Sequence, residues 1–151
     1  MRVGKLTIIL LLLGFTRTSL AAPPDACKLL APGDVQAVLG NGFAPVPNIV
    51  KASDYSVCTY IRGAGEVAGI MVLGGSPTAI AALRGRAKML GSKATPVAGL
   101  GEGAFRVAMG NTAGVWFGKG EWQVNAEIKG GSASMHEQVQ KLAKLVLSRL
   151  P

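Results

Sequence analysis

Polar and apolar residues alternate without a fault from Glu121 to Ile128, in the order Glu-Trp-Gln-Val-Asn-Ala-Glu-Ile. A period of two belongs to a strand with one buried and one wetter face. Upstream, Ala113, Val115 and Phe117 share one face of a second run, and Gly118-Lys119-Gly120 folds the two runs into a hairpin. A type II′ turn at Gly118-Lys119 pairs Val115 with Trp122, and a type I′ turn at Lys119-Gly120 pairs Phe117 with Trp122. Both turns keep the same parity. Val115, Phe117, Trp122 and Val124 therefore share the apolar face whichever turn forms.

Three more runs extend the sheet. Ala104–Met109 carries Phe105, Val107 and Met109 on its apolar face. A two-residue turn inside Gly110-Asn111-Thr112 sets Phe105 and Val107 with Trp116, whereas a three-residue loop sets them with Val115 and Phe117. The three-residue loop is the expectation here. Tyr55–Arg62 and Glu66–Leu73 alternate on either side of Gly63–Gly65, giving an antiparallel sheet of about five strands. Trp116 stands apart, because Val115 and Phe117 already occupy the apolar face of its strand. It projects to the other face, beside Gln123 and among Glu121, Asn125 and Glu127. Either a helix covers that face and Trp116 is core, or Trp116 and Gln123 belong to an open ligand-binding platform of aromatic surface and directed polar groups.

Periods of three and four mark the helices. Asp25 can cap a turn through Leu30, and Pro32 opens a second short helix with Val35, Val38 and Leu39 inward and Gly40 at its end. Asn41–Asn48, with its glycine and two prolines, reads as a loop. Ser76-Pro77 starts a helix that runs to about Leu90, stopped by Gly91, with Ile80, Leu83, Ala87 and Leu90 toward the core. Gly85 in its middle costs about 1 kcal/mol relative to alanine, and nothing in the sequence accounts for it. Ser134-Met135-His136-Glu137 spells a capping box, followed by the stripe Met135, Val139, Leu142 and Val146, widened by Ala143 and Leu150.

The first residues change the address. A basic start (Arg2, Lys5), the apolar run Leu6–Phe15 and a small-residue site at Ser19-Leu20-Ala21 make residues 1–21 a signal peptide. The run is too short to span a bilayer, which takes roughly 20 residues. Residues 22–151 then form one soluble domain that is periplasmic or secreted. Loss of Arg2, Lys5 and Arg17 reduces the sixteen basic residues to thirteen against eight acidic ones, a net charge of +5. The two cysteines, Cys27 and Cys58, are an even count in an exported chain, which favours a disulfide. Pro24-Asp25-Ala26 before Cys27 is no lipidation lead-in.

Reactive chemistry is sparse. Gly99-x-Gly101-x-x-Ala104 spells a dinucleotide fingerprint, but a strand follows where a helix is required, so the glycines read as a tight bend. His136, the single histidine, has no companions at ligand spacing and reads as an exposed helix residue, so neither metal nor cofactor is expected. Glu121 and Glu127, six residues apart on one strand, lie about 20 Å apart, too far for a glycosidase pair. Arg84, Arg86, Lys88 and Lys93 cluster with no acid between them. They read as a solvated face or as an attraction for an anionic partner or envelope component. Few aromatics and export argue against nucleic acid.

Ala26-Cys27-Lys28-Leu29-Leu30, Val38-Leu39-Gly40, Cys58-Thr59-Tyr60 and Gly99-Leu100-Gly101-Glu102-Gly103-Ala104, with a closing helix, resemble small secreted and lipid-anchored bacterial proteins of unknown function with a PsbP-like α/β/α sandwich. The resemblance implies a Cys27–Cys58 disulfide and an antiparallel sheet flanked by helices, and it transfers no catalytic residue. The expected fold class is α+β. The expected function is a non-enzymatic accessory or binding module, with a small envelope hydrolase and a structural surface protein as alternatives. Tentative ligand-binding residues are Trp116, Gln123, Arg84, Arg86 and Lys88.

Overall fold

The computed structural model describes residues 21–46, 52–76, 78–130 and 134–151. The expected signal peptide up to residue 20, and Pro77, lie outside the described residues. Two short helices come first, α1 (Ala26–Leu29) and α2 (Pro32–Leu39), followed by β1 (Ala44–Pro45), β2 (Tyr55–Arg62) and β3 (Glu66–Gly74). Then come α3 (Ala79–Met89), β4 (Lys93–Pro96), β5 (Glu102–Met109), β6 (Thr112–Lys119), β7 (Trp122–Lys129) and α4 (Met135–Arg149). All pairings are antiparallel, in the order β1-β2-β3-β7-β6-β5-β4.

The α+β class stands, but the sheet has seven strands, not about five, and the described residues leave one of its faces largely uncovered, unlike the expected sandwich. The two additional strands are short edges. β1 arises inside the stretch expected to be a loop, and β4 pairs Lys93–Pro96 with Ala108–Phe105. Neither has enough alternating residues to register as a strand from its pattern alone.

One face of the sheet carries the main core. Tyr60, Ile70, Val72, Val115, Phe117 and Val124 are at most 2% exposed and pack under α1, α2 and α4. The stripe of α4 faces them as expected, with Val139, Leu142, Ala143 and Val146 fully buried. Each of the buried valines and the leucine contributes roughly 1.5–3 kcal/mol of transfer free energy. The expected disulfide is present: Cys27 and Cys58 bond across 31 residues and tie α1 to β2. Tyr60 donates its hydroxyl to the Leu30 carbonyl beneath α2. Burial, and then the nearby Asp34 charge, push that hydroxyl above the usual tyrosine range.

Turn chemistry shifts two registers. The β6–β7 hairpin turns at Gly120-Glu121, pairing Lys119 with Trp122 and Phe117 with Val124. Gly120 supplies the positive φ of 57° that the turn needs. Both turns expected further upstream are thus displaced, while the parity that buries Val115, Phe117, Trp122 and Val124 holds. The displacement makes Lys119 a strand residue, whose ammonium reaches the Leu150 carbonyl at 2.5 Å and braces the end of α4. Between β5 and β6 the connection is the two-residue Gly110-Asn111 turn, not the expected three-residue loop. Phe105 and Val107 therefore lie with Trp116.

Helix ends also differ. Thr78 precedes α3, and the helix begins at Ala79. The Ser134 hydroxyl makes no capping bond to α4; the Glu137 and Gln138 amides bond its carbonyl instead. Gly101 confirms the tight bend before β5: its φ is +84°, and a Cβ there would sit 2.5 Å from the Gly118 carbonyl oxygen.

Candidate functional site

The second sheet face receives one helix, and only at one end. α3 packs on β4, β5 and the near part of β6, where Ile80 and Phe105 are buried and Ile80 lies against Gly103. Ile80 is the only buried residue of α3. Leu90, expected in the core, is 76% exposed, and Met89 beside it is 82% exposed.

Beyond α3 the described residues leave the face open, and its rows follow from the register. One row crosses Val57, Met71, Asn125, Trp116 and Phe105. The next crosses Thr59, Gly69, Glu127, Gly114 and Val107. Glycine thus stands on both strands flanking Glu127, so neither direct cross-strand partner of that residue carries a side chain. Two adjoining depressions follow, of about 220 Å³ around Trp116 and Val107 and about 160 Å³ around Val57, Thr59 and Met71. Asn125 and Glu127 line both, which makes one shallow trough across the strands. A third row ends in partly exposed apolar side chains, Ile61 on β2 and Met109 on β5.

Trp116 is therefore neither core nor fully exposed: its ring is partly covered and forms a wall of the larger depression. Gln123 lies at the α3 end, where its side-chain amide donates to the Ser76 carbonyl at 3.0 Å. Glu121, expected on the same face, sits in the turn instead.

The basic cluster does not form one face. At about 100° per residue, Arg84 and Lys88 lie roughly 40° apart on α3, whereas Arg86 lies roughly 160° from both. Arg86 stands beside Gln123 with Ala79, Ala82 and Leu83. Lys93 leaves the helix altogether and joins β4 on the opposite sheet face, where Thr95, Arg106, Ala108 and His136 line a separate depression. His136 is not an exposed helix residue: it is partly buried, with Nδ1 shut from solvent and, among the described residues, without a hydrogen-bond partner.

Thr59, Gly69, Met71, Val107 and Gly114 were missed as site residues. The two glycines carried a signal, since glycine inside a strand marks a bare patch or a close approach. Among the described residues no group of three or more histidine, cysteine, aspartate or glutamate side chains could hold a metal ion. The trough offers apolar surface, one amide and one carboxylate, an arrangement suited to holding a ligand.

No protein-family model matches the chain, and no curated protein does. Among solved structures, a crystal structure of a GTP binding regulator from Thermotoga maritima aligns over 86% of this chain and 95% of its own. Its sequence is 11% identical and its TM-score is 0.41, a likeness too loose to bear on fold or function.

Proposed function

We propose that the protein is a non-enzymatic binding module, and that its open sheet face holds an apolar segment of a partner protein carrying a basic residue. The trough across β2, β3, β7, β6 and β5, with Trp116 on its wall and Glu127 between two glycines, carries this reading. Val57, Met71, Val107 and Trp116 supply apolar contact, and aromatic residues and methionine are the types enriched where proteins meet. Among the described residues Glu127 is the one carboxylate lining the trough and has no ion partner, and charge complementarity favours a cation opposite it. The disulfide supports an oxidising compartment, periplasmic or extracellular, as the place of action. Among the described residues no helix is long and apolar enough to cross a membrane.

Random-sequence peptide display on the purified protein tests the reading. Wild type should enrich apolar peptides containing lysine or arginine. Gly114→Leu should abolish that enrichment with the fold retained, because a Cβ at Gly114 meets its nearest neighbours at 3.7 Å, ordinary contact, and further atoms occupy the trough. Glu127→Gln should keep the apolar preference and lose the basic one. No enrichment, or the same peptides on wild type and Gly114→Leu, overturns the proposal.

A further inference from the structure

We propose a second ligand site on the opposite sheet face: Lys93, Thr95, Arg106 and His136 bind an oxyanion of the phosphate class. These four side chains, with Ala108, line one depression of about 160 Å³ at the β4 edge. Register brings them together. Thr95 pairs directly with Arg106, and Lys93, two residues along the same face, is the diagonal neighbour. Such pairs lie roughly 5 Å and 7–8 Å apart at Cβ. The depression is thus walled by a guanidinium, an ammonium, a hydroxyl and an imidazole. A guanidinium matches two phosphate oxygens at once, and the ammonium and hydroxyl add further donors.

The surrounding charges leave the cations unbalanced. Neither the Lys93 nor the Arg106 side chain forms an ion pair or hydrogen bond among the described residues. The sequence has eight carboxylates, and none lines the depression. Asp34 is taken by Arg149 and Glu66 by Arg62, while Glu127 faces the other side of the sheet. The neighbouring carboxylate in sequence, Glu137, is exposed to solvent. His136 adds an independent indication. Its Nδ1 is buried and unpartnered beside the cations, and a buried polar atom without a partner is uncommon in a folded protein. His136 also belongs to the first turn of the fifteen-residue α4, whose backbone dipole places positive potential there. The two cations, Thr95 and His136 line one opening at the start of α4, and an anion there balances their unpaired positive charge.

Phosphate reaches such a site either as the free ion or on a lipid headgroup, and two arms of one experiment separate these sources. The first titrates inorganic phosphate into the full chain, following the His136 ring signals by NMR with chloride at matched ionic strength as reference. The second measures sedimentation with vesicles containing phosphatidic acid, against vesicles of phosphatidylcholine alone. Saturable response in either arm is expected. It should weaken by roughly tenfold or more in Arg106→Gln and in Lys93→Gln, and stay unchanged in Arg84→Gln on the other face. Lys93 is exposed on an edge strand, so its variant tests the site even if Arg106→Gln folds poorly. Response in the first arm alone assigns a soluble phosphate, and response in the second alone assigns the headgroup. Silence in both arms, a response that chloride reproduces, or full binding by Lys93→Gln overturns the proposal.

Discussion

The two faces of the sheet are made of the same strands, yet they are built to different standards. Along β6, Val115 and Phe117 are fully buried beneath the helices, while Trp116 between them looks onto the open trough. Along β7, Val124 and Ala126 are fully buried and Glu127 is exposed. Three helices cover the first face, and one weakly packed helix covers an end of the second. Stability is concentrated on one side of a single layer, which leaves the other side free to carry polar and aromatic groups that contribute little to folding. Loops hold function on many scaffolds; here the candidate is a strand face, and its rigidity comes from the core directly behind it.

Neighbouring residues give the sharpest break of that contrast. Phe117→Ala should cost about 3–5 kcal/mol. Trp116→Ala, despite the larger side chain, should cost about 1–2 kcal/mol, because its ring is only partly covered. Denaturant unfolding of the two variants measures both, and equal costs would mean that the second face is core after all.

The disulfide is the next largest effect, and it acts on the covered side alone. Replacing Cys27 and Cys58 by alanine removes a closure over 31 residues, worth roughly 3–4 kcal/mol in the chain-entropy model. The melting temperature should fall accordingly. Peptide binding by the folded fraction should persist, since neither cysteine lines the trough.

The parity of the hairpin was legible because alternation over eight residues leaves no freedom about which side chains are buried. The amphipathic stripe of α4 was legible for the same reason at a period of 3.6. What escaped notice depended on a displacement of one or two residues. Gly120 takes the turn in place of Gly118-Lys119, and Gly110-Asn111 closes as a two-residue turn, which carries Phe105 and Val107 to the Trp116 face. Competing glycines within three residues cannot be ranked without the tertiary contacts that fix the strand ends, such as the bond from Lys119 to the end of α4. Trp116 and Gln123 were legible as residues that violate or share the polar face. Lys93, Arg106 and His136 were not legible as a group, because β4 is only four residues long, its pairing sets Lys93 near Arg106, and the packing of α4 adds His136.

On the covered side, α2 is fastened to α4 by a smaller contact with a pH signature. Arg149 binds both Asp34 oxygens, at 2.5 and 2.9 Å, and the Ala31 amide donates to the same carboxylate at 2.8 Å. The hydrogen bond from Arg149, assisted by the amide and the Arg149 charge, holds Asp34 below the ordinary aspartate range against the opposing effect of burial. A depressed carboxylate contributes its full stability above its unfolded pKa and loses it as pH falls through the folded value. The loss should therefore appear below about pH 4. Arg149 is 38% exposed, so Asp34→Asn should cost only about 1 kcal/mol at neutral pH. The variant's stability should change less than wild type's between pH 5 and 3, as acid-unfolding curves would show.

The smallest effect lies on the open side and has the opposite sign. Gly85 sits in the middle of α3, and a Cβ built there meets nothing within 4 Å. No neighbouring backbone requires the glycine, so the cost of its conformational freedom in a helix is uncompensated. Gly85→Ala should stabilise α3 by about 0.5–1 kcal/mol. α3 is anchored chiefly by Ile80, so the gain should appear first as slower amide exchange across Ala79–Met89. Global stability should rise by that amount only if α3 unfolds together with the sheet. If exchange slows in α3 while the melting temperature stays constant, the helix opens independently of the core, and the two faces differ in cooperativity as well as in burial. Unchanged exchange in α3 would overturn the expected gain.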